Sequence, residues 1–231
     1  MRRIPTEVHS LALDALGEPI LRLRTPLNWR IDPGQAALAD LGESCGLLTP
    51  LFPCETAPGL VSFPISADSA LRPGMRLSLT GPIGTGFRPP AGSRHWLLAT
   101  TEHLPARLLP LLVQGVERGV EVVFAGELST HSLPPSVEVE RSLDRALDWA
   151  DYLAVDTTPE ALPQMLNSLS GAGVALSSVA AEILVVSDIL CGFGGCGACA
   201  VQSRRGWVLA CAEGPVHPLH TLLERGPSRG A

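Results

Sequence analysis

The sequence predicts a β domain followed by an α/β domain and a C-terminal metal-binding segment. Short apolar runs separated by Pro-Gly pairs fill residues 1–90, and strand-like and helix-like patterns alternate from residue 95. Four of the six cysteines fall between residues 191 and 211. We therefore expect a β domain at 1–90, an α/β domain at 91–187 and a metal-binding segment at 188–231.

The first domain is predicted to be a small antiparallel β-barrel. Pro33-Gly34, Pro58-Gly59 and Pro73-Gly74 punctuate its apolar runs, as turns between short strands do. The candidate strands are residues 20–23, 47–51, 60–63 and 75–79. The segment 81–87 breaks this pattern, and we interpret it as a turn that links the two domains.

The second domain is predicted to be a doubly wound parallel sheet, because buried strands alternate with helices at βαβ spacing. The candidate strands are residues 95–100, 120–125, 137–139, 152–155 and 182–186, and the candidate helices are 105–118, 141–149 and 158–169. Gly119 is suited to end the first helix and Pro159 to begin the last.

The cysteine cluster carries the strongest chemical signal. Cys191, Cys196 and Cys199 follow a C-x4-C-x2-C spacing and Cys211 comes after eleven further residues, which is the plant-type [2Fe–2S] ligand pattern. The intervening CGFGGCGAC sequence is rich in glycine, which a loop wrapped tightly around an inorganic core requires. A four-cysteine zinc site and cysteines without a metal remain as alternatives.

A hairpin between the third and fourth cysteines would bring Cys211 back to the cluster. Residues 200–202 and 207–209 read as its strands, with Arg204 and Arg205 in the turn. The two arginines are either solvated turn residues or a spot that docks an acidic partner surface. Trp207 either covers one side of the cluster or packs within the hairpin.

Other residues offer little chemistry. No Ser/His/Asp or Cys/His set is visible, so we predict no catalytic residue. Cys45 and Cys54 are expected to be buried as small apolar side chains. His217 and His220 follow the last cysteine closely, and we expect both at the surface.

The composition excludes several functions. All 17 basic residues are arginine, so the chain has no lysine for a Schiff base or a P-loop. A net charge of −6 without a basic run argues against nucleic-acid binding. Residues 174–190 form the most apolar long stretch and are too short and too polar for a membrane span. We expect a cytoplasmic protein, where clustered cysteines favour metal or redox chemistry.

Beyond the cysteine spacing, residues 191–199 and 211–216 resemble the cluster motif of the iron–sulfur electron-transfer subunit of type 1B dihydroorotate dehydrogenase. The segment GPIGTGF at 81–87 resembles the link between the two domains of that family. The resemblance implies a ferredoxin-reductase-like architecture, with FAD contacts at Gly84, Thr85 and Gly86 and cluster ligation by the four cysteines. It also implies a hetero-oligomer with a catalytic flavoprotein subunit in pyrimidine biosynthesis.

The sequence departs from the family at both nucleotide motifs. Neither segment that could align with the flavin motif R-P-x-S, at 49–53 or 63–66, has the arginine, so FAD stays open. The turn at 97–105 lacks the glycines of the family's G-G-G-x-G motif, and Glu102 would repel a pyrophosphate. We therefore expect no NAD binding, and a subunit of an oxidoreductase complex without independent NADH oxidation. The alternative is a non-redox accessory subunit with a structural zinc site.

Overall fold

A computed structural model describes residues 1–13, 18–41, 47–66, 69–101, 106–125, 133, 137–140, 143–171 and 178–223. Two large sheets and one small hairpin make up the fold. The seven-stranded sheet comes first in the chain, the six-stranded sheet second, and the hairpin lies near the C-terminus.

The first sheet is antiparallel throughout. Its strands are β1 (Arg2–Leu13), β2 (Pro19–Arg24), β3 (Ala36–Ala39), β4 (Thr49–Leu51), β5 (Glu55–Ala57), β6 (Leu60–Pro64) and β7 (Arg76–Ile83). They lie in the order β4-β3-β7-β1-β2-β6-β5. The sheet forms an antiparallel half-barrel, which confirms the predicted β domain.

Three of these strands, β1, β3 and β5, escaped the sequence prediction, and β5 is only three exposed residues long. In β1, Ile4, Thr6 and Val8 are buried while Arg3 and Glu7 are exposed, which is the alternation of a half-buried strand. The sequence therefore contained that signal. The strand β3 consists of alanines and one leucine, all fully buried, and alanine has a low strand propensity.

The second sheet has the order β10-β9-β8-β11-β12-β15. Its strands are β8 (His95–Thr100), β9 (Glu121–Ala125), β10 (Glu138–Glu140), β11 (Tyr152–Thr157), β12 (Ala180–Val185) and β15 (Val216–Pro218). The connecting helices are a 3-10 turn (Ala106–Leu108) that continues into α1 (Leu109–Glu117), then α2 (Leu143–Leu147) and α3 (Leu162–Gly171). The chain reverses its direction of winding between β8 and β11, as a doubly wound sheet requires.

The predicted α/β order is confirmed, with corrections in detail. The sheet is mixed rather than wholly parallel, because β15 joins β12 in antiparallel orientation. Helix α1 ends as predicted at Gly119, which has a φ of +71°. Helix α3 begins at Leu162 instead of residue 158, because residues 159–161 form a turn before it.

The C-terminal segment contains a hairpin and two short helices. The hairpin pairs β13 (Ala200–Ser203) with β14 (Gly206–Leu209), and Arg204 and Arg205 form its turn as predicted. Helix α4 (Ala210–Glu213) follows β14 directly, and α5 (Leu219–Leu222) follows β15.

The two large sheets share one apolar core. Residues Ala36, Leu38, Phe52, Ile83 and Phe87 of the N-terminal part belong to the same buried cluster as the side chains of β8 and β11. A second cluster fills the half-barrel alone, around Leu21, Leu23, Phe63 and Leu79. The first sheet ends at Ile83 and the second begins at His95, while the domain bounds at 90 and 187 remain predictions.

No helix among the described residues is long and apolar enough to cross a lipid bilayer. The longest helix, α3, has 10 residues, and about 20 are needed to span the hydrocarbon core.

Candidate iron–sulfur site

The predicted ligand loop follows β12 and has an irregular backbone that glycine makes accessible. Gly192, Gly194 and Gly197 have φ values of +76°, +80° and +74°, which side-chain-bearing residues rarely adopt. A methyl group on Gly195 would overlap the ring of Phe193. The glycines therefore allow the loop to turn repeatedly between Cys191 and Cys199.

The hairpin brings the fourth cysteine back to the loop. The backbone N–H of Ala210 donates to the carbonyl oxygen of Cys199 at 2.9 Å, just where β14 passes into α4. The backbone N–H of Cys211 lies 3.4 Å from Sγ of Cys199. Cys211 and Cys199 are therefore adjacent although twelve positions separate them in the sequence.

The four thiols interact with one another. Cys191 interacts with Cys196 and Cys199 with Cys211, and a charge interaction between Cys211 and Cys191 links these two pairs. All four are free of disulfides; Cys199 and Cys211 are buried, whereas Cys196 is exposed. Among the residues that the structure describes, no three His, Cys, Asp or Glu side chains are grouped closely enough to hold a single metal ion.

The surroundings of the sulfurs differ between the two pairs. Hydrogen bonds from the backbone of Phe193 and Cys196 lower the pKa of the Cys191 thiol to about 6. Burial raises the pKa of the Cys211 thiol to about 12, although the backbone N–H of Gly194 donates to its Sγ at 3.1 Å. Backbone N–H groups thus donate hydrogen bonds to sulfur at both Cys191 and Cys211, and such donors tune the metal in iron–sulfur sites.

The half-barrel packs against the beginning of the ligand loop. A methyl group on Gly192 would lie 2.9 Å from Cδ1 of Ile83, 3.2 Å from the sulfur of Met1 and 3.3 Å from Cδ1 of Leu38. The first turn of the loop therefore packs against Met1 and the strands β3 and β7. The position of Cys191 is set by both large sheets, since β12 leads into the loop and the half-barrel lies against it.

The residues predicted to contact FAD lie in a contact between the domain link and the C-terminal segment. The backbone N–H of Thr85 donates to the carbonyl oxygen of Gly214, and its hydroxyl donates to the carbonyl oxygens of Gly214 and Val216, both at 3.1 Å. The carbonyl oxygen of Gly84 accepts from Nε2 of Gln35 at 3.0 Å. Gly86 is buried, and a methyl group on it would lie 2.5 Å from the carbonyl oxygen of Pro33.

Of the two segments that could align with the flavin motif, 49–53 ends in buried residues, whereas 64–66 are half-buried or exposed. Phe52, just after β4, is in the core that the two sheets share, and it is 5% exposed. Cys54 forms a small buried cluster with Ile20 of the half-barrel and Ala106 of the α/β domain. Cys54 is therefore a buried apolar residue as predicted, whereas Cys45 lies outside the described residues.

An ion pair occupies the carboxyl end of the central strands, where open α/β sheets bind nucleotides. Nε of Arg107 lies 3.1 and 2.9 Å from the two carboxylate oxygens of Asp156, which is fully buried at the end of β11. Beside it the hydroxyl of Thr101 lies 3.1 Å from that of Thr157. Residues 102–105, which include Glu102, lie outside the described part of the chain.

Two further predictions near the cluster need correction or refinement. His217 was expected at the surface, yet it is 3% exposed because it belongs to β15, a strand too short to show a pattern in the sequence. His220 is exposed as predicted. Trp207 is 69% exposed, so it does not pack within the hairpin.

The fold and the four-cysteine loop together define an iron–sulfur protein built on a reductase-like scaffold. Residues 187–223 match the family model of the iron–sulfur cluster binding domain of dihydroorotate dehydrogenase B. The resemblance stated from the sequence is thereby confirmed. The match supports an iron–sulfur electron-transfer subunit that carries an iron–sulfur cluster and works with a catalytic partner subunit.

Solved structures show the fold of the whole chain. The NADH-dependent reduced ferredoxin-NADP oxidoreductase is 18% identical with a TM-score of 0.72, covering 94% of this chain and 89% of its own. The ferredoxin reductase of carbazole 1,9a-dioxygenase is 18% identical with a TM-score of 0.56, covering 78% and 68%. A ferredoxin NADP+ reductase from Neisseria gonorrhoeae, with FAD and NADP bound, is 14% identical with a TM-score of 0.52, covering 75% and 92%. No curated protein matches the sequence.

Proposed function

We propose that the chain is the electron-transfer subunit of a dihydroorotate dehydrogenase-like complex and holds a [2Fe–2S] cluster through Cys191, Cys196, Cys199 and Cys211. The observation that carries this proposal is the return of Cys211 to the ligand loop, where its N–H lies 3.4 Å from Sγ of Cys199 and its Sγ accepts from the N–H of Gly194 at 3.1 Å. The hairpin thus brings the fourth cysteine to the other three, and a two-iron cluster needs two ligands on each metal. When bound, such a cluster supplies one-electron redox chemistry.

The residues around the thiols have separate tasks in this proposal. The N–H of Gly194 and the backbone of Phe193 donate hydrogen bonds toward Cys211 and Cys191, which stabilises added negative charge on sulfur and raises a reduction potential. The buried pair Cys199 and Cys211 faces the protein interior, while Cys196 is exposed. The exposed side of the loop is therefore where electrons enter or leave.

The contacts of Thr85 favour a linking role for residues 84–86 over flavin binding. Both hydrogen-bond donors of Thr85 are used inside the chain, on Gly214 and Val216. Among the described residues, Arg107 is the cation at the carboxyl end of the central strands. Its charge is already paired with Asp156. We therefore propose that the chain does not oxidise NADH alone and that it exchanges electrons through a partner flavoprotein.

The proposed partner is the catalytic flavoprotein subunit of pyrimidine biosynthesis, in a hetero-oligomer located in the cytoplasm. The family of residues 187–223 supports this partner.

Visible spectroscopy of the purified protein tests the cluster. We expect a red-brown protein with broad visible bands that dithionite bleaches. Replacing any one of the four cysteines by serine should abolish those bands. Cys54→Ala is the matched control, because Cys54 is a buried cysteine away from the loop, and it should keep the full spectrum. A colourless protein with one zinc per chain would support the alternative accessory subunit instead.

Two further measurements address the other cofactors. Acid precipitation should release no yellow flavin if residues 84–86 only link the domains. Anaerobic addition of NADH should leave the visible bands of the isolated chain unchanged, whereas adding the reduced catalytic subunit should bleach them. Bleaching by NADH alone would contradict the proposal that the chain does not oxidise NADH by itself.

A further inference from the structure

Two aromatic side chains near the cluster loop are exposed, in contrast to nearly all others in the chain. Phe193 is 71% exposed, whereas the other four phenylalanines are at most 6% exposed. Trp207 is 69% exposed, whereas Trp29 and Trp96 are buried and Trp149 is half-buried. Large exposed aromatics are costly to hydrate, and they are enriched at protein interfaces.

The hairpin directs Trp207 toward the same side as the ligand loop. Trp207 and Leu209 are two residues apart on β14, so their side chains point to one face of the hairpin. A methyl group on Gly194 would lie 3.5 Å from Cδ1 of Leu209, which places this face against the loop. The opposite face carries Val201 and Ser203, and both are buried.

Phe193 lies within the loop itself and covers Gly195. Its Cδ2 and Cζ atoms lie 3.2 and 3.3 Å from the position that a methyl group on Gly195 would take. The exposed Cys196 is the next residue after Gly195. The exposed side of the ligand loop is thus bordered by Phe193 on one element and Trp207 on another.

The tip of the hairpin β13–β14 carries positive charge. Arg204 and Arg205 are both exposed and line, with Trp207, a groove of about 1070 Å³. Glu213 and His220 line the same groove. The tip therefore carries two positive charges in a chain whose net charge is −6.

We propose that Phe193 and Trp207 are the apolar anchors of a docking face, completed by Arg204 and Arg205, for the catalytic flavoprotein subunit. This inference rests on the proposed function and adds the surface that the partner contacts. The partner is expected to present an apolar recess bordered by carboxylates, since arginines pair with carboxylates and aromatics fill recesses. A second copy of this chain is disfavoured as occupant, because a two-fold contact at this face would bring the arginine pairs together.

Electron exchange requires the partner's flavin to come close to the exposed side of the ligand loop. The docking face is therefore expected to form the part of the subunit contact that surrounds this loop. In such an interface a few aromatic residues supply most of the binding free energy, while arginines at the rim mainly accelerate association.

The test is binding of the full chain, loaded with its cluster, to the type 1B dihydroorotate dehydrogenase catalytic subunit of the same organism. We expect Trp207→Ser and Phe193→Ser each to raise Kd by about tenfold or more. Leu27→Ser is the matched control, because Leu27 is 70% exposed on the half-barrel, and its Kd should equal that of the wild type. Arg204→Gln with Arg205→Gln should lower the association rate and its dependence on salt.

The outcomes separate the docking face from the proposed function. If the wild type binds and Trp207→Ser binds equally well, the docking face is wrong while the proposed partner stands. If the wild type does not bind this subunit, the proposed partner falls, and the docking assignment falls with it. Visible absorption checks that each variant keeps its cluster; should Phe193→Ser lose it, Trp207→Ser decides, because Trp207 lies outside the ligand loop.

Discussion

Thr85 is bound to Gly214 twice, once through its backbone N–H and once through its hydroxyl, whose oxygen lies 3.1 Å from the Gly214 carbonyl oxygen. Thr85 belongs to the link between the two sheets, and Gly214 follows the helix that carries Cys211. The contact therefore fixes the last cysteine relative to the half-barrel. The hydrogen bonds between Thr85 and Gly214 therefore contribute both to the arrangement of the two sheets and to the geometry of the ligand loop.

Thr85→Val should destabilise the protein by about 1–2 kcal/mol, because valine has the same shape and leaves the carbonyl oxygens of Gly214 and Val216 without the hydroxyl donor. Urea unfolding measures the loss. Thr221→Val is the control, since the Thr221 hydroxyl also donates to a carbonyl oxygen but in an exposed position. Equal losses for the two variants would contradict a special role of Thr85.

Gly84→Ala should destabilise the protein far more than Gly74→Ala. Both glycines have positive φ, +72° and +85°, so both alanines are strained by about 1–2 kcal/mol. Only at Gly84 would the methyl group also overlap the Gly214 carbonyl oxygen and lie 2.5 Å from Cδ of Pro215, whereas nothing lies within 4 Å at Gly74. Thermal unfolding of the two variants isolates the contact from the strain, and similar melting temperatures would argue against the close approach.

Asp156→Ala should lower the free energy of unfolding by about 3–5 kcal/mol. The substitution removes the buried carboxylate that pairs with the Arg107 guanidinium and leaves a cavity in its place. Glu7→Ala removes a surface partner instead. Arg24 and Glu7 are 3.5 Å apart with side chains 60% and 44% exposed, and that pair is worth about 0.5 kcal/mol. Denaturant unfolding compares the two losses. Comparable values would mean that water reaches Asp156.

His217 should make stability fall in mild acid. Burial lowers its pKa below the ordinary value of 6.5, and the charge of Glu213 offsets only part of this effect. Below about pH 6.5 His217 therefore binds a proton in the unfolded chain but stays neutral in the folded chain. The free energy of unfolding consequently decreases as pH falls. Above that pH His217 is neutral in both states and contributes no slope.

Unfolding experiments between pH 5 and pH 8 measure that slope. His217→Gln should reduce it, whereas His220→Gln, at an exposed position, should leave it unchanged. Comparing slopes rather than absolute stabilities removes any packing loss caused by the new side chain at position 217. A slope that survives His217→Gln would assign the acid sensitivity to another group.

Local patterns made much of the fold predictable. The strand β8 was predicted with its exact bounds because an apolar run of strand length lies between polar and turn residues. The hairpin β13–β14 was predicted from its turn at Arg204 and Arg205. The ligand loop could be predicted for the same reason, since the spacing of its cysteines is itself a local property.

Contacts between distant segments could not be predicted. Thr85 and Gly214 are 129 positions apart, and neither residue type indicates a partner. His217 is buried because three residues of β15 happen to complete a sheet made by distant strands, and three residues show no periodicity. The exposure of Phe193 and Trp207 was equally invisible, because an apolar residue in a sequence is expected inside.

The strand β15 is the last one of its sheet along the chain, and it covers the outer edge of β12. During synthesis on the ribosome, β12 emerges before residues 216–218, so this edge has no neighbour until all four loop cysteines have been made. Translation that stops between β12 and β15 leaves an open strand edge, which is a template for aggregation.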